Sequence, residues 1–318
     1  MGDKSEYSLT FFLKSHWMKP YFNRSFLLLI VLIFSTLNAV SNAELANLLD
    51  SCTKYLKLKR PDLVVQFNMR AEALAKEDSK IGYDTLYQIQ SNYIWAFYAI
   101  NRQDLRKQHL KKAIALIEEE QKKGNSHFIS YLLSNANLAA VYNQNGEFDS
   151  ARIHYQIAID LAMENQDTVF MAGSLNNMGI FLSQQLGWDT AKSFFDRAIE
   201  LLHLKVRHDS VLYCSIRDNL ADYYLFQGDS AKVVEIIEFN LQHLNPSLHQ
   251  AGEKLIRWGL KILPIYLDQG NYQSAKDLLM YLGDLVQRIE GEWHYKYRSQ
   301  ILDYESKLAL VTKNASLL

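Results

Sequence analysis

The sequence predicts an all-α protein, a solenoid in which antiparallel helix pairs stack on one another. The 318 residues include only 4 prolines and 13 glycines, so few positions interrupt a helix. Hydrophobic residues make up 48% of the sequence, enough to build a core of domain size. A related pattern of small and large residues also recurs at intervals of 40 to 45 residues, which is typical of a repeat protein.

The N-terminal segment, residues 1–43, is predicted to direct export. Its charge-free apolar run, residues 26–34, follows several basic residues, and Ser41 and Ala43 occupy the two small positions that signal peptidase reads. The run is shorter than the roughly 20 residues that span a bilayer. Cleavage before Glu44 is therefore expected, with a retained membrane anchor as the alternative. We expect an exported protein, periplasmic or associated with the envelope, that touches the membrane only through this segment and only if the segment is retained.

The repeat itself is clearest in the middle of the sequence. One copy places small and large residues, with a glycine between two predicted helices, at Ala139, Tyr142, Gly146, Ala151, Tyr155 and Ala158. Small residues let paired helices approach closely, and large ones fill the space between them. Glycine supplies the left-handed backbone that ends the first helix, as expected at Gly146, Gly228 and Gly270.

This pattern resembles the tetratricopeptide repeat (TPR). The resemblance covers roughly residues 44–285 and implies a right-handed superhelix whose first helices line a concave groove. The last small position of each copy marks six repeats: Ala71, Ala113, Ala158, Ala198, Asn240 and Leu282. The last two markers depart from the small-residue rule. The spacing exceeds the family's roughly 34 residues, as in its regulatory members.

We predict a TPR-like solenoid over residues 44–290. Residues 291–318 then form a capping helix, because apolar residues recur there at helical spacing. A solenoid needs such a cap at its exposed end.

Four repeats carry asparagine at the same position of the first helix, 21 residues before the marker. This asparagine row consists of Asn92, Asn137, Asn177 and Asn219, and the last repeat has Lys261 there. Each amide offers a donor and an acceptor that can hold the backbone of an extended peptide. The resemblance agrees, since several TPR families grip peptides through first-helix asparagines. The alternative is that each asparagine bonds a neighbouring helix and fixes the stacking.

Further polar residues are predicted to line the same groove: Asn143, Gln144, Asn176, Gln184, Asp218 and Asp222. The net charge of −1 excludes a global basic field, so nucleic acid is not an expected partner. No catalytic, cofactor or metal motif is present, and His203 and His208 lack a third ligand. The two cysteines are assigned to distant repeats and are expected to be free, buried thiols.

The sequence therefore predicts a non-enzymatic scaffold that binds a protein or peptide of unknown identity in its groove. Two alternatives stay open at this point. One is a sensor module of a bacterial signalling system that works with a separate output protein. The other is a structural component of an envelope complex.

Overall fold

A computed structural model describes residues 42–78, 81–203, 211–248, 251–289 and 292–315. The predicted export segment lies outside the described residues except for its last two positions. Among the helices that are described, none combines the length and hydropathy of a bilayer-spanning segment.

The described residues form thirteen α-helices, arranged in sequence as six pairs followed by one longer helix. They are α1 (Asn42–Lys57), α2 (Pro61–Glu77), α3 (Tyr83–Ala99), α4 (Gln103–Lys122), α5 (Phe128–Gln144), α6 (Phe148–Glu164), α7 (Thr168–Gln185), α8 (Trp188–His203), α9 (Val211–Phe226), α10 (Ser230–His243), α11 (Ala251–Asp268), α12 (Tyr272–Gln287) and α13 (Glu292–Ala315). Each pair corresponds to one predicted repeat, and α13 lies within the predicted capping segment. The odd-numbered helices up to α11 are the first helices of their pairs.

The described residues divide into two compact units, one ending at Ile100 and the other beginning at Asn101. In the first unit, α1, α2 and α3 contact one another. In the second unit, every helix from α4 to α13 packs on the next, and the first helices α5, α7 and α9 also contact in sequence. The alternation of helix-to-helix contacts within and between pairs is that of a helical repeat.

The turns inside the pairs use left-handed backbone, as predicted. Gly146, Gly228 and Gly270 have φ angles of 77°, 78° and 70°. Lys59 adopts φ 52° in the turn between α1 and α2. The sequence does not predict left-handed backbone there, because the position is not glycine.

Small residues occur where the helices of a pair approach most closely. Ala158 and Ala198 are fully buried. A Cβ atom on Gly179 of α7 would lie 2.6 Å from the ring of Phe195 on α8, closer than carbon atoms can approach. The predicted division between small and large residues therefore has a direct steric cause.

The two markers that depart from the small-residue rule are both fully buried, and only Leu282 has a compensating change on the facing helix. Leu282 is fully buried, and a Cβ on Gly259 of α11 would lie 2.6 Å from its side chain. The small residue has thus moved from the second helix to the first. Asn240 is also fully buried, and its Nδ2 donates to the backbone oxygen of Cys214 at 2.9 Å. Both cysteines are free and buried, as predicted.

Candidate functional site

The asparagine row lies on four successive first helices, α3, α5, α7 and α9. The structure gives its members different environments. Asn92, in the first unit, is buried, and its Nδ2 donates to Oδ1 of Asn68 on α2 at 2.9 Å. The amide of Asn68 in turn donates to the backbone oxygen of Ile89 at 2.8 Å. Asn92 is therefore part of the packing between α2 and α3.

In the second unit, hydrogen bonds at equivalent positions connect α9 to α7 and α11 to α9. Nδ2 of Asn219 on α9 donates to Oδ1 of Asn176 on α7 at 2.6 Å. Lys261 takes the equivalent position on α11, and its ammonium group donates to Asp218, which is the residue on α9 equivalent to Asn176. In both cases the residue in the asparagine-row position of one first helix bonds a residue on the preceding first helix. That partner stands immediately before the asparagine-row position of its own helix.

Asn177 lacks this bond. Its counterpart on the preceding helix is Ala136, whose side chain offers no hydrogen-bonding group. Asn177 is partly exposed, and no group in the described part of the protein bonds its side-chain amide. The donor and the acceptor of this amide both remain available.

Asn137 is also engaged. Its Oδ1 accepts a hydrogen bond from the guanidinium of Arg106 on α4 at 2.7 Å, and its Nδ2 donates to the backbone oxygen of Leu133 at 2.9 Å. Near the ends of α5 and α7, Nδ2 of Asn143 donates to Oε1 of Gln184 at 2.8 Å. Gln144 is exposed. Most of the predicted groove residues therefore bond neighbouring helices, and Asn177 and Gln144 are the ones with unengaged amides.

Exposed aliphatic side chains share the helix side that carries Asn137 and Asn177. We call this group the aliphatic face, formed by Ile129, Leu133 and Ala140 on α5 and by Val169 and Ile180 on α7. Ile129, Leu133 and Val169 are 50%, 43% and 44% exposed, and the other two are partly exposed. The α5 members share one side of the helix, and the α7 members occupy the equivalent positions one repeat later.

Sequence reasoning missed the aliphatic face because an isoleucine on a helix ordinarily indicates the core. Helix register could have indicated it, because these residues stand one or two turns from the asparagine row, on the same side of the helix. Buried side chains of α5, such as Leu138 and Tyr142, occupy the opposite side.

The same side becomes charged along α9 and α11. The ammonium group of Lys261 contacts Asp218 and Asp222, with the second contact 2.6 Å long, and Asp218 is buried. Burial raises the pKa of the Asp222 carboxyl above its ordinary value, and the nearby Lys261 ammonium opposes that shift. Arg257 is about half exposed and lies 3.9 Å from Asp218. The first-helix side thus changes from apolar at α5 and α7 to ionic at α9 and α11.

Within the described ranges, no group of three or more His, Cys, Asp or Glu side chains is arranged to hold a metal ion. This statement does not cover the histidine pair from the sequence, because His208 and the side chain of His203 lie outside the described residues.

A scan against protein-family models gives no match, and a search of curated proteins gives none either. Solved structures do resemble this protein. The apo form of the quorum sensor NprR from B. thuringiensis has a TM-score of 0.61 at 10% identity, covering 88% of this chain and 74% of that one. NprR in complex with its cognate peptide NprX has a TM-score of 0.55 at 10% identity, covering 88% and 76%.

A Rap protein complexed with competence and sporulation factor has a TM-score of 0.53 at 14% identity, covering 89% of this chain and 80% of that one. At such identities the likeness shows the fold alone, and these neighbours are TPR-like helical repeat proteins. The protein is therefore a TPR-type repeat protein by fold, as its spacing of small and large residues predicts.

Proposed function

We propose that this protein is a non-enzymatic scaffold that binds an extended peptide segment along the first-helix side of its second unit. The aliphatic face, together with the unengaged amide of Asn177, carries this proposal. Three aliphatic side chains there are more than two fifths exposed. Exposed aliphatic side chains grouped on one side of neighbouring helices, with a free hydrogen-bonding group among them, are typical of a binding surface.

The chemistry of the face suits a peptide in extended conformation. Burial of aliphatic side chains against Ile129, Leu133 and Val169 provides the main favourable term, about 25 cal/mol for each Å² removed from water. The amide of Asn177 can accept from a backbone N–H of the peptide and donate to a backbone carbonyl oxygen. The bonded side chains on either side, such as Asn143 and Asn219, hold the helices that present this face in a fixed arrangement.

The structural neighbours support the same proposal. NprR has been solved with its cognate peptide NprX, on a fold that this protein shares at a TM-score of 0.55. We propose no catalytic role, since the side chains of the face are aliphatic groups and amides, which supply neither an activated nucleophile nor a general base.

A direct test starts from peptides selected on the full-length protein. Random peptides of about 12 residues are long enough, because the four helix spacings from α5 to α13, at about 8–10 Å each, need roughly that many extended residues. Fluorescence anisotropy of a labelled, selected peptide then gives the dissociation constant. Leu133→Glu places a charge on the aliphatic face and should weaken binding about tenfold or more.

Ile153→Glu is the matched control. Ile153 is 56% exposed on α6, a second helix, so the same charge enters at a similarly exposed position away from the proposed site. Equal effects of the two substitutions, or no effect of Leu133→Glu, would remove the support for this face.

We also propose export, supported by the apolar run of residues 26–34 and the small residues before Glu44. N-terminal sequencing of the mature product tests it. A product beginning at Glu44 indicates cleavage, and an intact N-terminus in the membrane fraction indicates an anchor. An intact N-terminus in the cytoplasmic fraction would contradict export.

A further inference from the structure

A pocket of about 460 Å³ lies between α11 and α13, which contact each other at the end of the second unit. Arg257 and Lys261 line it from α11, and Trp293, Lys296 and Tyr297 line it from α13. Lys261 stands at the row position, and Arg257 stands one turn before it, at the position that Leu133 and Gly173 take on α5 and α7. The pocket, here called the terminal pocket, therefore continues the first-helix side that carries the aliphatic face.

Two of the cations in the terminal pocket, Arg257 and Lys296, donate no hydrogen bond to a carboxylate in the described part of the protein. Lys261 is engaged by Asp218 and Asp222. Arg257 forms a long ion pair with Asp218, at 3.9 Å, which is beyond hydrogen-bond distance. Lys296 pairs with no carboxylate among the described residues, and its ammonium group lies 4.7 Å from the ring centre of Trp293.

One carboxylate, that of Glu253, also lines the pocket. Oε1 of Glu253 accepts a hydrogen bond from the hydroxyl of Tyr297 at 3.2 Å. The pKa of Lys254 is lowered by its burial and, secondarily, by the neighbouring guanidinium of Arg257, whereas Asp218 and Glu253 act in the opposite direction. An anion placed between Arg257 and Lys296 would be attracted by both cations.

The aromatic wall adds an apolar component. Trp293 stacks on Tyr297 with ring centres 5.7 Å apart, and Trp293 keeps 47% of its surface exposed while Tyr297 is buried. The buried Tyr297 belongs to the packing at the end of the second unit. The exposed Trp293 ring can instead cover the methylene groups that carry an acidic group.

We propose that the terminal pocket binds a carboxylate of the same peptide that lies on the aliphatic face, with Arg257 and Lys296 as its donors and Trp293 against its apolar stem. This inference rests on the proposed function and specifies the class of peptide. The planar guanidinium of Arg257 matches a carboxylate, and the Lys296 ammonium adds a second charged donor.

Helix spacing fixes where the acidic group must occur in the peptide. From α7 to the gap between α11 and α13 there are two to three spacings, or roughly 20–25 Å. An extended peptide spans that distance in about six to seven residues. The preferred peptide therefore has aliphatic side chains with an Asp or Glu at about that separation before or after them, or with the C-terminus at about that separation after them.

Peptides selected on the full-length protein test this preference. We expect acidic residues to be enriched about six to seven positions from an aliphatic cluster. For one such peptide, replacement of its Glu by Gln and the Arg257→Gln/Lys296→Gln variant should each weaken binding about tenfold, and together no further. Amidation of the peptide C-terminus distinguishes a terminal carboxylate from that of an Asp or Glu residue. Binding should weaken either on amidation or on replacement of the acidic residue, and not on both.

Lys276→Gln is the control, because Lys276 is an exposed lysine on α12 outside the terminal pocket. Selected peptides that bind through Leu133 but show no acidic preference, and keep their affinity for the double variant, would overturn the inference and leave the proposed function standing. Failure to select any peptide would overturn both.

Discussion

Nδ2 of Asn219 on α9 donates a hydrogen bond to Oδ1 of Asn176 on α7, 2.6 Å away. Asn176 is buried, so its acceptor depends on this donor. The bond joins the first helices of two successive repeats. The asparagine row therefore contributes to repeat stacking at Asn219, whereas Asn177, whose counterpart on the preceding helix is Ala136, leaves its amide unengaged.

This contrast gives the first prediction. Asn219→Ala removes the donor and leaves the buried oxygen of Asn176 unsatisfied, which should lower the free energy of unfolding by about 1–2 kcal/mol. Asn177→Ala breaks no bond and should change it by less than about 0.5 kcal/mol. Chemical denaturation of both variants provides the measurement. Equal destabilisation would mean that Asn177 also has a structural role.

The ion pairs of α9 and α11 give a second prediction. Lys261→Met leaves the carboxylates of Asp218 and Asp222 without their common counter-ion, and Asp218 is buried. Removal of one partner from a buried pair should cost about 3 kcal/mol of unfolding free energy. Lys307→Met is the control, because its pair with Asp303 is solvent-exposed on both sides, and we expect no measurable change there. A Lys261→Met protein as stable as wild type would show that these carboxylates are hydrated.

Close packing within the fourth pair gives a third prediction. Gly179→Ala forces a methyl group against the Phe195 ring, at 2.6 Å without relaxation, and should destabilise the protein by about 1–3 kcal/mol. Gly173→Ala, on the same helix, meets nothing within 4 Å and should be neutral or stabilising by up to about 1 kcal/mol, because alanine favours helix. The thermal midpoint should therefore fall for Gly179→Ala and stay level or rise for Gly173→Ala. A fall of similar size in both variants would contradict the packing described for α7 and α8.

A fourth prediction concerns pH. His154 stacks on Tyr142, its Nδ1 lies 2.8 Å from Oδ1 of Asn135, and burial, with a smaller contribution from Lys111, lowers its pKa. A histidine whose pKa is lower in the folded state stabilises the fold above its ordinary pKa, and that stability is lost as pH falls through the folded value. Unfolding free energy should therefore decline as pH falls below about 6.5. His154→Gln should remove part of this decline, and an unchanged slope would contradict it.

The sequence predicts much of this architecture, because small residues, turn glycines and their spacing act locally. Gly146 and Ala158 behave as their motif requires, with left-handed backbone at the first and complete burial at the second. The compensation between Gly259 and Leu282 was not predictable from one repeat, since it depends on which facing residue makes room.

The site was less predictable for a related reason. Register places Asn92 and Asn177 at equivalent positions, but it does not tell which polar group the neighbouring helix presents. Asn68 stands beside Asn92, whereas Ala136 occupies the position that corresponds to a bonding partner for Asn177. Whether an amide is engaged depends on such partners, which single-repeat motifs leave unspecified.

The affinity of Asn177→Ala for a selected peptide, measured together with its unfolding free energy, tests the central claim most directly. The proposed peptide contact predicts a dissociation constant roughly five- to tenfold weaker, for one or two lost hydrogen bonds, with stability unchanged. Full affinity in this variant, with or without a fall in stability, would contradict the assignment of Asn177 to peptide binding.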